Sequence, residues 1–186
     1  MFAFFAKILK DFLPCTAMYV LAHIGIATGV LLALAYQHGK DVSRYDIRLL
    51  VIGAMLPDLL DKPLNIAGLS AGRGYAHTTL FAIVLLAVCV RWNIHELAFG
   101  SIMHYTLDAL WRAPAVLFWP LRGLSLPSTP YDVAYYWERV MESGYVQATE
   151  VLGAVILLSV IVRYWLYRPA AVRRLLLTGR IAGSHG

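Results

Sequence analysis

At 186 residues the chain has the length of one domain, and its 60% hydrophobic content, 15% charged content and mean hydropathy of +0.65 exclude an ordinary soluble fold. The formal charge of +5 does not point to nucleic acid as a partner, because the basic residues are dispersed and cluster only at Arg163, Arg168, Arg173, Arg174 and Arg180. Composition points to an all-α integral membrane protein whose first partner is the lipid bilayer.

Taken in chain order, residues 1–13 place Phe4, Phe5, Ile8, Leu9 and Phe12 at helical spacing with Lys7, Lys10 and Asp11 between them, which predicts an interfacial amphipathic helix. From Thr16 to about Tyr36 the chain is apolar for roughly the 20 residues a bilayer core demands, so this is the first span. A polar loop, Gln37 to Arg48, leads into a shorter second span from Ile47 to Leu60 that ends at L-P-D. After a glycine-rich loop from Ala67 to Gly74, a third span runs from about His77 to Trp92. Asn93 is then expected to cap a fourth helix from Ile94 to Trp111.

Beyond it, Pro114, Trp119, Pro120, Pro127 and Pro130 with interleaved aromatics predict an interfacial loop over 112–145, with one amphipathic turn or two between Tyr131 and Ser143. The last span covers 146–167, and a basic tail occupies 168–186. The expectation is a single membrane domain, 1–186, built as a bundle of about five spans around a core at 16–111. Cys15 and Cys89 fall at opposite ends of that bundle, so no disulfide is expected between them.

Alternation of the spans fixes sidedness once one end is placed. With the arginine-rich tail in the cytoplasm, nine Lys and Arg residues fall inside and seven outside, in keeping with the positive-inside bias in a plasma or inner membrane.

Ionisable residues at membrane depth are costly and mark function. His23 lies in the first third of span one, Asp58 at the end of span two, His77 at the start of span three, and His104 and Asp108 in the final third of helix four. In an antiparallel bundle all five reach the same end, on the face opposite the tail. His104 and Asp108 are four apart and so share a helical face. Asp58 and Asp61 are three apart, at a helix end bracketed by Pro57 and Pro63. Imidazoles combined with carboxylates suit a divalent ion, zinc in first place, and an open coordination position makes such a site catalytic.

Each residue also has a plainer reading. His23 can be a packing histidine, and Asp61 with Lys62 a surface ion pair. His77 can cap its helix, His104 and Asp108 can bond each other, and Arg73 can anchor to headgroups. Their common depth favours the metal site.

The run A-H-I-G-I-A-T-G, then G-A-M-L-P-D-L-L-D-K-P, R-G-Y-A-H-T-T, G-S-I-M-H-Y-T-L-D and W-P-L resembles the YdjM-type family of membrane-bound metal-dependent hydrolases over roughly Ala22 to Leu121. The resemblance implies a helical membrane protein distantly similar to zinc-dependent phospholipase C and single-strand nuclease folds. It carries over His23, Asp58, His77, His104 and Asp108 as metal ligands. Two departures stand out: the second aspartate, Asp61, follows Asp58 by three residues rather than two, and Arg73-Gly74-Tyr75-Ala76-His77-Thr78 lacks one hydroxyl of the family's signature.

The expected chemistry is attack of metal-activated water on an ester or phosphoester of a lipid-like substrate. Asp61 is a candidate proton acceptor and Arg73 a candidate donor to a substrate phosphate or carboxylate. The alternative from another class is a non-enzymatic metal-binding or ion-transport protein. Glu150 would extend its path, but such a path needs polar residues through the full membrane depth.

Overall fold

The computed structural model describes residues 19–67, 73–126 and 133–181. The expected helix at 1–13, Cys15, part of the glycine-rich loop and the end of the tail with His185 lie outside the described residues.

Among the described residues the structure is helical, without strands, in agreement with the all-α reading. Helix α1 covers Val20–Gln37, α2 Ile47–Ile66, α3 Thr79–Trp92 and α4 His95–Leu107. A short α5, Pro114–Leu117, and α6, Val133–Glu142, lead to α7, Gly144–Arg163, and α8, Pro169–Thr178. Three 3-10 turns, Val42–Arg44, Tyr75–His77 and Leu110–Arg112, join them.

By length and composition, α1 and α7 can cross a membrane, whereas α3 is apolar but only 14 residues long. The exposed faces agree with a lipid environment: Leu80, Ile83, Val84, Leu86 and Val90 on α3 and Val151, Leu152, Val155, Leu158 and Val162 on α7 all lie on the surface. Apolar patches of that extent are uncommon on soluble monomers.

Two helix pairs form the frame. In α1–α7, Gly25 meets Gly153, and a Cβ on either would collide with backbone of the other helix. In α2–α4, Gly53 and Gly100 do the same, since a Cβ on Gly53 would fall on the Leu97 carbonyl and one on Gly100 on the Leu50 carbonyl. Small residues at a crossing let backbones approach and make close packing the cohesive force between helices in lipid. The Glu150 carboxylate of α7 accepts from the free Leu21 and Ala22 amides at the start of α1 (3.2 and 2.9 Å), which ties that pair at its end.

Helix α2 departs from its expected end. It runs through Pro57 and Pro63 to Ile66 rather than stopping near Leu60. A proline at position 57 cannot donate to the Gly53 carbonyl, which normally breaks a helix. Here Ser101 Oγ of α4 donates to Gly53 O at 2.9 Å and supplies the missing partner. Asp58 and Asp61 therefore project from a continuous helix, not from a frayed end.

Other boundaries differ for similar local reasons. Helix α1 starts at Val20, which puts His23 in its first turn. His77 closes a 3-10 turn, and Thr78 caps α3 by accepting from the Phe81 amide (3.1 Å). Asn93 does not cap α4: it ends α3 in the left-handed region (φ 56°), a conformation asparagine tolerates well. Helix α4 runs from His95 to Leu107, with Asp108 as its C-cap, and so stops short of the expected Trp111. The last apolar helix ends at Arg163, and the basic tail folds as α8.

Helix α8 docks on the start of α2. Asp46 caps α2 through the Arg48 and Leu49 amides, Arg48 Nη1 donates to Leu176 O (2.8 Å), and Ile47 N donates to Gly179 O (2.7 Å). Ile181 then joins the core beside Ala27, Leu31, Leu50 and Ala54.

Candidate metal centre

The continuous α2 and its close packing on α4 set the position of the first imidazole. His104, in the last turn of α4, is fully buried, and its Nδ1 lies 2.8 Å from Ala54 O, one residue beyond the carbonyl that Ser101 satisfies. A carbonyl only accepts, so Nδ1 carries the proton and Nε2 of the neutral ring presents a lone pair.

The second imidazole is fixed by Asp61. This fully buried carboxylate accepts from the Gly74 and Ala76 amides (2.8 and 3.0 Å) and lies 2.6 Å from His77 Nδ1. A carboxylate in that position accepts a hydrogen bond from Nδ1–H, which leaves Nε2 of the neutral His77 ring as a lone pair too. The ring of Tyr105 borders both histidines, and its hydroxyl donates to Ala76 O (2.7 Å), further fixing the 73–77 segment.

The two Nε2 atoms face each other at 3.2 Å. Asp58 Oδ1 lies 3.7 Å from His77 Nε2 and 3.9 Å from His104 Nε2, and Asp108 Oδ2 is 3.9 Å from each. His23 stacks on His104 with ring centroids 4.2 Å apart, and its Nε2 lies 3.3 Å from Asp108 Oδ1. Neither buried His23 nitrogen completes a hydrogen bond among the described residues.

With both rings neutral and protonated on Nδ1, the two Nε2 lone pairs face each other, an arrangement that costs energy unless a cation lies between them. The donor set fits a divalent ion. Two imidazole nitrogens sharing one tetrahedral zinc at about 2.0–2.1 Å stand roughly 3.3 Å apart, close to the observed spacing. Two overlapping groups, His23–His104–Asp108 and Asp58–His77–His104, can hold a metal ion, and His104 belongs to both.

All five residues expected as ligands from the sequence come together here, and so do Asp61 and Arg73. Arg73 Nη2 lies 3.3 Å from both the carboxylate and the carbonyl oxygen of Asp108. The plainer reading of Asp61, a surface ion pair with Lys62, does not hold for Lys62. It pairs with Asp58 instead, Nζ to Oδ2 2.6 Å, because residues four apart face each other on a helix whereas neighbours do not. Tyr105, Lys62 and the capping role of Glu150 are the features that sequence reasoning missed. Only Lys62 had a local signal, its spacing from Asp58.

The fold and this centre define a class: helical membrane proteins that bury a histidine–aspartate group at one end of the bundle. Within that class the family model for the YdjM inner membrane protein matches residues 18–175, and the chain belongs to that family. No curated protein and no solved structure matches the chain.

Proposed function

We propose that this chain is a membrane-bound hydrolase that uses a divalent ion, zinc in first place, to cleave an ester or phosphoester of a lipid-like substrate. The observation that carries the reading is the pair of imidazole lone pairs facing each other at 3.2 Å beside two carboxylates.

In this reading the ion would be held by one of the two overlapping groups, His23, His104 and Asp108 or Asp58, His77 and His104, with a position left open for water. Asp61 orients His77 and raises its basicity as a ligand, a role that carboxylates commonly play behind metal-bound histidines. Its oxygens are occupied by two amides and the ring, so Asp61 is placed to position His77 rather than to accept a proton. When bound, the ion supplies a nucleophilic water at neutral pH and polarises the substrate oxygen. The water oxygen bonds to carbon or phosphorus, the ester oxygen departs, and that oxygen takes up a proton.

An apolar groove of about 130 Å³ between α3 and α4 is in keeping with an apolar chain on the substrate. Ala82, Ile83, Leu86, Ala98 and Ile102 line it, and it ends at Tyr105, the residue that borders His77 and His104. Trp119 of the loop after α5 packs on Tyr75 (centroids 5.2 Å apart), which brings the aromatic loop to the same end.

In the membrane, α1, α2, α3, α4 and α7 make five spans. Helices α3 and α4 are each about 20 Å long, so their flanking 3-10 turns complete the crossing. The tail helix lies at the Asp46 end of α2, roughly 17 Å along the axis from Asp58. With the arginines of that helix in the cytoplasm, the centre faces the opposite side. Glu150, the residue an ion path would need, is engaged by the Leu21 and Ala22 amides, which favours the one-sided hydrolase over a transporter.

The test is purified protein in detergent, assayed on a panel of soluble and lipid esters and phosphoesters with its metal content measured. His104→Ala is expected to retain helicity, lose the metal and lose turnover. Full turnover after complete metal removal overturns the proposal.

A further inference from the structure

Each of the two carboxylates that face the histidine lone pairs has a cation on its outer side. Lys62 Nζ lies 2.6 Å from Asp58 Oδ2, and Arg73 Nη2 lies 3.3 Å from Asp108 Oδ2. The histidines and Asp61 are sealed, whereas the side chains of Lys62 and Arg73 are 36% and 21% exposed. The centre therefore opens where its two cations stand.

Charge fixes what can approach through that opening. Asp58, Asp61 and Asp108 bring three negative charges, Lys62 and Arg73 two positive ones, and histidines with a lone pair on Nε2 none. The group is net negative by one before an ion binds and net positive by one after a divalent ion does. A positive centre whose two carboxylates carry an ammonium and a guanidinium attracts an anion, and a planar guanidinium together with a compact point charge suits the oxygens of a phosphate.

Resting on the hydrolase reading above, we infer that Lys62 and Arg73 form a phosphate-binding subsite at the mouth of the centre, with Lys62 as a specificity-determining residue. The substrate is then a phosphate ester rather than a neutral carboxylic ester. The ligand chemistry is a phosphate group, free or as a lipid headgroup.

Protein loaded with Co²⁺ in detergent reports both steps through its visible spectrum: uptake of the ion, then the change when an anion reaches it. Titrations with inorganic phosphate and with short-chain phosphatidic acid, with phosphatidylcholine as the zwitterionic control, separate the two phosphate sources. Lys62→Gln is expected to weaken phosphate or phosphatidic acid binding by about tenfold or more, and Lys62→Arg by no more than about threefold. Co²⁺ affinity should stay within about threefold of wild type in both. A response to phosphatidic acid alone supports a headgroup ligand, and a response to both supports the bare phosphate group as the recognised unit.

Unchanged anion binding in Lys62→Gln overturns the inference, as does a parallel loss of Co²⁺ affinity, which would make Lys62 a positioning residue for Asp58. Co²⁺ uptake with no response to either phosphate ligand overturns this inference alone. Failure of the wild-type protein to take up Co²⁺ removes the metal reading itself and this inference with it.

Discussion

Both ends of helix α2 carry an aspartate beside a basic residue, yet the two ends are built differently. At the start, the Asp46 carboxylate accepts from Arg48 Nε and Nη2 and from the Arg48 and Leu49 amides, so every acceptor there meets a donor. At the far end Asp61 is closed in the same way and Asp58 and Asp108 each meet a cation, but His77 and His104 turn their Nε2 atoms toward each other at 3.2 Å with those two carboxylates 3.7–3.9 Å away. Buried or paired charge by itself is compatible with simple architecture. A pair of imidazole nitrogens facing each other beside carboxylates is a group that could hold a metal ion, and that distinguishes this end of the helix from the capped one.

The sharpest way to break the comparison is Asp61→Asn. If Asp61 serves the centre by holding His77 with Nε2 open, loss of its charge should weaken metal affinity by about 10–100-fold while the helical fold persists. Competition with a chromophoric chelator measures this directly. Unchanged affinity would place Asp61 with Asp46, as a purely architectural carboxylate.

Much of the centre was legible in the sequence because helical rise and antiparallel alternation suffice to bring His23, Asp58, His77, His104 and Asp108 to one end. What was not legible depends on partners far away in the chain. The helix passes Pro57 because Ser101, 48 residues away, satisfies Gly53 O. No local pattern reveals that. Asp61 could be read as a proton acceptor only until the 73–77 segment was seen to fill its oxygens. Asn93 shows the converse error: a residue suited to an N-cap sits equally well in the left-handed turn that ends the preceding helix. Lys62 pairs with Asp58 rather than with its neighbour Asp61, the partner of the plainer reading, because helical geometry brings residues four apart together.

The next effect in size concerns the frame that connects the two ends. Gly53→Ala drives a methyl group onto the Leu97 carbonyl, a misfit of about 1–3 kcal/mol, partly offset by the roughly 1 kcal/mol gain in helix propensity. A net loss of up to ~2 kcal/mol is expected in denaturation from mixed micelles. Metal affinity should fall with it, since the Gly53 and Ala54 carbonyls move together and the latter orients His104. Gly144→Ala, at a position with nothing within 4 Å of an added Cβ, is the matched control and should change neither quantity.

The smallest effect belongs to the structural end and should leave the centre untouched. The hydrogen-bonded Arg48 guanidinium holds the Asp46 carboxyl below its ordinary value of 3.8. A carboxyl lowered in the folded state contributes stability that is present above the unfolded value and is lost as pH falls through the folded one. Asp46→Ala should therefore cost roughly 0.5–2 kcal/mol at neutral pH, the usual range for an N-cap. The difference from wild type should shrink once the pH drops below 3.8. The lost cap also loosens the seat of α8, because Arg48 holds Leu176 O while bound to Asp46. Proteolysis near residues 176–179 should quicken accordingly. Metal uptake should not change, because no Asp46 contact reaches the histidines. An Asp46→Ala protein that loses its metal at neutral pH with its fold intact would show that the two ends of α2 are coupled.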